Sequence, residues 1–360
     1  MAEADGFVVD FPTLGDIADK WIEQHCRIPD GYRRGDNFTW SDWQFWCGAN
    51  YYRIRPDSAW ASSNEPLYNQ AFTYRRAQIV APQKTGKGPW AASMACFEAV
   101  GPSQFLGWAG ADDGYACSEY GCGCGWEYPY LPGEPMGMRH PSPVIQLTAT
   151  NEDQVGNVYR PLTAMIRLGE LSELMYVREG FIRIAGEAGG EDFDRIDAVT
   201  SSATGRVGNP VSWVLHDETG LYTKSNKMVK VAEDQRRGAA GMNGRTMETT
   251  NAWDPSENST AQRTFESGMT DIFKFYRIPP AGLSWGNKRE RRKILKYVYE
   301  GSPWVNLDSI DAEAMELNET DPAQAERFFG NRLVYGQGSW LRDGLWDSRY
   351  AGVEAVAAES

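Results

Sequence analysis

The chain has 360 residues, a formal net charge of −13 and 24% charged residues. That length can bury a large core, in one large domain or two. No apolar run approaches membrane-spanning length and no N-terminal stretch reads as a signal peptide, so no membrane is expected as a partner. The acidic balance argues against a uniformly basic nucleic-acid binder and leaves room only for local basic patches.

Residues 1–37 read as an N-terminal extension. In the stretch Phe38 to Trp46, Gln44 stands among aromatics. A glutamine amide can pair with adenine N6 and N7 while a ring stacks on the base; an aromatic core helix is the alternative. Arg76 to Val80 reads as a buried strand. It feeds Ala81-Pro82-Gln83-Lys84-Thr85-Gly86-Lys87-Gly88, which resembles a phosphate-cradling loop at a helix N-terminus. There Gly86 lets backbone approach phosphate, Lys87 supplies a mobile ammonium, and Pro89 suits the first turn of a helix. That helix is expected over Ala91 to Val100, ended by Gly101. The Walker A pattern G-x-x-x-x-G-K-[ST] is broken twice, at Ala81 and at Gly88. No hydroxyl follows the lysine, so Thr85 or Asp217 must serve the magnesium ion. A plain surface turn is the alternative.

Residues 102–142 read as an insertion. Its Gly-rich stretch holds Cys117, Cys122 and Cys124, and His140 lies further on. Clustered thiols in a reducing compartment suggest structural zinc, although C-x4-C-x-C leaves the fourth ligand open, and free thiols are the alternative. Cys26, Cys47 and Cys96 read as small buried hydrophobes. Val144 to Thr150, Ile196 to Thr200, Val211 to Leu215 and Thr246 to Thr250 read as further core strands, and Thr150 with Asp153 as a capping box. After the fourth of these five strands come His216, Asp217 and Glu218. Asp217 would hold magnesium and Glu218 would activate water, in the manner of Walker B. After the fifth, Thr249, Thr250 and Asn251 lie where a γ-phosphate would be sensed. Asn287 to Tyr299 and Pro322 to Asn331 read as helices of a lid over 287–340. Basic candidates for DNA contact are Lys288, Arg289, Arg291, Arg292 and Lys293, with Arg236 and Arg237; a solvated helix face is the alternative. Residues 341–360 read as a linker.

Strands alternating with helices imply an α/β fold: a mostly parallel twisted sheet with helices on both faces and nucleotide at the C-terminal strand ends, as in RecA-like (ASCE) P-loop NTPases. The order of an aromatic-Gln segment, a degenerate phosphate loop, an apolar-H-D-E strand and a T-T-N strand end resembles the ATPase half of the large terminase subunit of tailed bacteriophages. Val144 to Gln154 is similar to the corresponding strand and helix start in terminases of phages infecting actinobacteria. The likeness spans roughly residues 38–340. It implies ATP and Mg²⁺ as ligands. It also implies double-stranded DNA, the portal protein and the small terminase subunit as partners, and a homo-oligomeric ring on the procapsid in the host cytoplasm. It further implies a trans-acting arginine near Arg206, in the Gly-flanked stretch Ser201 to Gly208, with Lys84 as a rival acting in cis. Large terminases continue into a nuclease domain. Residues 1–360 contain no carboxylate cluster for two-metal DNA cleavage, so the expected chain is an ATPase portion without nuclease activity. Another P-loop translocase such as a helicase, or a zinc-stapled DNA- or capsid-binding module with a dead nucleotide site, are the alternatives.

Overall fold

The computed structural model describes residues 7–59, 68–185, 193–200 and 210–336. In chain order the helices are α1 (Gly15–His25), α2 (Asp42–Tyr51), α3 (Lys87–Val100), α4 (Glu152–Leu168), α5 (Met228–Gly241), α6 (Thr260–Glu266), α7 (Lys288–Val298), α8 (Leu307–Thr320) and α9 (Pro322–Gly330). The strands are β1 (Arg76–Val80), β2 (Gln104–Trp108), β3 (Gly114–Ala116), β4 (Glu127–Pro129), β5 (Pro135–Met138), β6 (Val144–Thr148), β7 (Met175–Val177), β8 (Phe181–Ile184), β9 (Arg195–Val199), β10 (Trp213–Asp217), β11 (Arg245–Thr250) and β12 (Ile272–Tyr276).

One eight-stranded sheet runs in the order β12-β1-β11-β10-β6-β9-β8-β7. From β12 to β9 every pairing is parallel; β8 and β7 close the far edge in antiparallel fashion. The α/β expectation of a mostly parallel sheet holds. All five expected core strands are present, while β12 and the β7–β8 hairpin are additional. β10 lies two residues later than expected, so Asp217 is its last residue.

Side chains alternate across a strand, and here the two faces differ in chemistry. Ala77, Ile79, Ile145, Leu147, Trp213, Leu215 and Met247 enter the main apolar core with α1 to α4. The opposite face buries polar groups beneath α5 and α6. Arg76 donates to Glu248 at 2.7 Å and to Thr264 at 2.8 Å, and Gln78 donates to Glu248 at 3.3 Å. Gln235 donates to Gln146 and Thr148, each at 2.7 Å, and its carbonyl meets His216 Nε2 at 3.1 Å. Helices therefore cover both faces, as the long apolar runs imply.

The aromatic segment near Trp43 becomes α2, which packs on the β12 edge: Trp43 stacks on Phe275 with centroids 5.8 Å apart. Between α3 and β6 the chain leaves the sheet and forms two small antiparallel pairs, β2 with β5 and β3 with β4. Helices α7 to α9 close around a second apolar core that includes Trp285, Leu295 and Phe329. At the start of α4 the side-chain cap is Asn151, which accepts from Gln154 N–H, so the cap sits one residue beyond the expected Thr150. Cys26, Cys47 and Cys96 are fully buried, as expected.

Arg245 is a charged group buried in the core. It is 1% exposed and donates to Glu98 at 3.0 Å and to the Tyr51 carbonyl at 2.9 Å. Its guanidinium lies 3.7 Å from the Phe72 ring centroid and 4.2 Å from that of Tyr51. Removing one partner of such a pair leaves a buried uncompensated charge. Arg245→Ala is expected to lower unfolding free energy by about 3–5 kcal/mol in chemical denaturation. The exposed Arg33–Asp36 pair is the control, and Arg33→Ala is expected to cost below about 1 kcal/mol.

Candidate functional site

Parallel register brings three strand ends together. Val80 pairs with Thr250, Ile79 with Thr249, and Thr249 with Asp217. The loop after β1, the Thr-Thr-Asn end of β11 and the acidic pair at the end of β10 therefore share one edge of the sheet, the edge where open α/β folds bind ligands.

Lys87 opens α3 beneath that edge. Its helix starts four residues earlier than expected, with Gly86 as the cap at φ 89°, in the region that favours glycine. The Lys87 ammonium donates to the carbonyls of Ala81 at 2.7 Å and Pro82 at 2.8 Å, and to Asn251 Oδ1 at 2.9 Å. Asn251 Nδ2 in turn donates to Glu218 Oε2 at 2.9 Å. One amide thus bridges cation and carboxylate, and the charges on either side fix which end faces which. Thr249 donates to Asp217 Oδ1 at 2.6 Å. Thr250 Oγ1 accepts from Gly220 N–H at 2.9 Å. Glu218 itself sits at φ 57° and ψ 46°, a conformation that costs a non-glycine residue about 1–2 kcal/mol and tends to occur at functional sites.

The electrostatics follow from burial. Desolvation, and then the Glu218 charge, push Asp217 up to about 7, against the opposing hydrogen bond from Thr249. Desolvation pulls Lys87 below the usual ammonium range, opposed by Glu218 and Asp217. Beside Glu218 and Asn251 lies a cavity of about 90 Å³, also lined by Asp254, Gln324 and Arg327. Arg327 is held there by Asp254 at 3.2 Å.

The missing hydroxyl of the phosphate loop has a packing cause. A Cβ at Gly88 would lie 2.6 Å from the backbone carbonyl oxygen of Asn157 in α4, so the position admits no side chain. Thr85 does not stand free to replace it, because it is buried and its hydroxyl donates to Pro82 O at 2.8 Å.

Gln44 reaches the loop, but its carbonyl accepts from Ser41 N–H at 3.0 Å in a capping box. A Cβ at Gly86 would lie 3.4 Å from Gln44 Nε2. The amide nitrogen therefore faces the loop, while the oxygen that would accept from adenine N6 already serves the helix. Gln83 is tied to the helical layer: its N–H donates to Phe328 O at 2.8 Å and its carbonyl accepts from Tyr299 OH at 2.9 Å. Trp304, 51% exposed, lies against Gly86, within 2.8 Å of where a Cβ would stand. Sequence reasoning missed Tyr299 and Trp304; a tyrosine and a tryptophan beyond a basic helix carry no motif. Lys84 is exposed at φ 66°. Arg206 lies outside the described residues. Among the basic candidates, Arg291 is buried on Asp311 and Arg292 pairs with Asp308. Arg236 faces Glu248 and Arg237 pairs with Asp234. Lys288, Arg289 and Lys293 are exposed. Cys117, Cys122 and Cys124 do converge, but with His25 of α1 and not with His140, which accepts from Ser142 N–H.

No protein-family model and no curated protein sequence matches the chain. Among solved structures, the bacteriophage HK97 large terminase matches with a TM-score of 0.59 at 13% identity, over 89% of this chain and 55% of that one. The chain shares that fold and spans about half of that terminase's length. The large terminase ATPase domain of Thermus phage P74-26 aligns at TM-score 0.41 and 12% identity, over 73% of this chain and 90% of that one. A large terminase from a thermophilic bacteriophage, in complex with ADP, aligns at TM-score 0.41 and 9% identity, over 72% of this chain and 49% of that one.

Gly88→Ser, which would restore the hydroxyl of the loop pattern, is expected to lower stability by about 1–3 kcal/mol through overpacking and to bring no gain in activity. Asp217 gives a pH signature. Folding raises its pKa, so its stabilisation is complete below the unfolded value of 3.8 and is lost as pH rises through about 7. Relative to the parent, Asp217→Asn is therefore expected to be more stable at pH 8, by at most about 4 kcal/mol, with the difference vanishing below pH of about 4. Denaturation midpoints across that range check it.

Proposed function

We propose that the chain is the ATP-hydrolysing motor of a viral large terminase, which drives double-stranded DNA into a procapsid. The observation that carries this reading is the Lys87–Asn251–Glu218 bridge at the edge where β1, β10 and β11 end. Its geometry suits a phosphate-gripping cation joined to a water-activating base through a residue able to sense both. The fold shared with the HK97 large terminase supports it.

In this reading the residues take separate parts. Lys87 turns its ammonium from the loop carbonyls to the β and γ phosphates of ATP. Glu218 orients a water and accepts its proton as the water oxygen bonds to the γ phosphorus and the bond to ADP breaks. Magnesium would be held by Asp217 with phosphate oxygens and water, and would neutralise charge on the phosphates. Thr249 keeps the Asp217 carboxylate oriented, and Thr250 and Asn251 register the γ-phosphate. Gln44 donates to the nucleotide through its amide nitrogen. Gln83, Lys84, Thr85, Gly86 and Gly88 shape the phosphate cradle.

The larger assembly belongs to the same proposal: a ring on the procapsid in the host cytoplasm, with the portal protein and small terminase subunit aligning neighbours. Arg206 reaches the adjacent site, or Lys84 acts within its own. The dead-module alternative drew its best support from Gly88, and the tight approach of α4 gives that residue a packing cause.

Phosphate release separates the readings. Glu218→Gln is expected to keep ATP affinity and lose about 10²–10⁴ in turnover. Lys87→Ala is expected to lose both. Parental turnover by Glu218→Gln, or no thermal shift of the parent with ATP and Mg²⁺, would overturn the assignment.

A further inference from the structure

Four potential metal ligands meet at a place that shares no residue with the phosphate loop. The Nε2 atom of His25 lies 3.3 Å from Cys117 Sγ, 3.8 Å from Cys122 Sγ and 3.3 Å from Cys124 Sγ. All four ligand atoms lie within 4.8 Å of one another, and three of the four residues are buried. A zinc tetrahedron with bonds of about 2.3 Å to sulfur and about 2.0 Å to nitrogen has N···S edges of about 3.5 Å. The three observed edges scatter around that value.

The surroundings select the chemistry of each ligand. His25 Nδ1 lies 2.7 Å from the Trp21 carbonyl, an acceptor, so Nδ1 carries the proton and Nε2 presents its lone pair to the sulfurs. The Trp21 ring stacks on the imidazole at 4.3 Å and fixes its plane. Trp126 N–H points at Cys124 Sγ at 3.4 Å, a contact that stabilises a thiolate. Gly121 and Gly125, at φ 78° and 71°, turn the chain so that the three cysteines face inward. Left as neutral groups, three thiols and an imidazole would crowd a buried pocket with weak donors and one good acceptor.

We propose that His25, Cys117, Cys122 and Cys124 bind one structural zinc ion. Binding replaces three S–H protons with three Zn–S bonds, and the fourth bond comes from the neutral imidazole; the three protons leave to solvent. All four positions being protein ligands, the centre is closed and structural. It clamps the β3–β4 hairpin to α1. Through Trp21, whose ring meets Phe97 of α3 at 5.5 Å, it also braces the helix that begins with Lys87.

The test uses the full chain, expressed with zinc and purified without chelator. Metal analysis is expected to find one zinc per chain. Cobalt(II) exchanged into the site is expected to give thiolate charge-transfer absorption and strong tetrahedral visible bands. His25→Ala and Cys117→Ser are expected to lose the metal, and His140→Ala to keep it. Where His25→Ala does not fold, His25→Cys supplies a fourth thiolate and is expected to retain the ion. Chelation of the parent is expected to lower its thermal midpoint, and zinc to restore it. A zinc-free folded parent, a disulfide among these cysteines in the freshly purified chain, or zinc retained by His25→Ala and lost by His140→Ala would each overturn the assignment.

Discussion

The site depends on the parallel register of β1, β11 and β10. A strand slipped by one residue turns every side chain to the other face. Such a slip in β11 would bring Glu248 where Thr249 stands beside Asp217 and would place a third carboxylate at the site. Both faces oppose it. Above the sheet, Ala77, Ile79, Leu215 and Met247 pack into the aromatic core. Below it, Arg76 and Gln78 hold Glu248, whose side chain is fully buried. Separating that pair inside the fold would strand a charge at a cost of about 3–5 kcal/mol, so the polar network specifies register even where its net stabilisation is small.

The phosphate loop is held from two sides. The sheet contributes the hydrogen bond from Ala81 N–H to Thr250 O at 3.1 Å. The helical layer contributes Phe328 O, Tyr299 OH and the Trp304 ring, and Asn331 donates to Val80 O at 3.3 Å. Helices α7 to α9 carry their own apolar core, so they meet the loop as one packed layer. The loop is thus tied to that layer by one backbone hydrogen bond and by the side chains of Tyr299, Trp304 and Asn331.

What was legible in the sequence is what strong periodicity and short motifs encode. The five central strands stood out because buried parallel strands are continuous apolar runs. β12, Ile272–Tyr276, was missed because Lys274 interrupts a short aromatic run, yet the structure turns that ammonium to the carbonyls of Phe265 and Ser267. The acidic pair and Lys87 were legible because each stands just after or at the end of a buried apolar run, and parallel register brings those strand ends to one edge. His25 was not legible as a partner of the cysteines: it lies 92 residues before Cys117 on an amphipathic helix, and only tertiary packing brings the two together. The spacing of the cysteines left the fourth ligand open, and His140, the nearer histidine in sequence, is not the one that meets them. Likewise Gly88 reads in sequence as a defect of the motif. In the fold it is the contact that lets α3 and α4 approach.

Asn251 shows how little machinery the site needs to link its two halves. Its oxygen takes one of the three hydrogen bonds of the Lys87 ammonium, and its nitrogen takes Glu218. A ligand that draws the Lys87 ammonium off Asn251 removes a donor from Asn251 Oδ1. A buried amide left with one end unpaired loses about 1–3 kcal/mol, which favours its reorientation. Glu218, held at a strained backbone angle by the residues around it, then loses the donor that restrains its carboxylate. The restraint on the Glu218 carboxylate is therefore greatest while Lys87 is bonded to Asn251. The acidic turn and the lysine already attract one another across the site, and the amide adds a directional link, so that the state of one affects the freedom of the other.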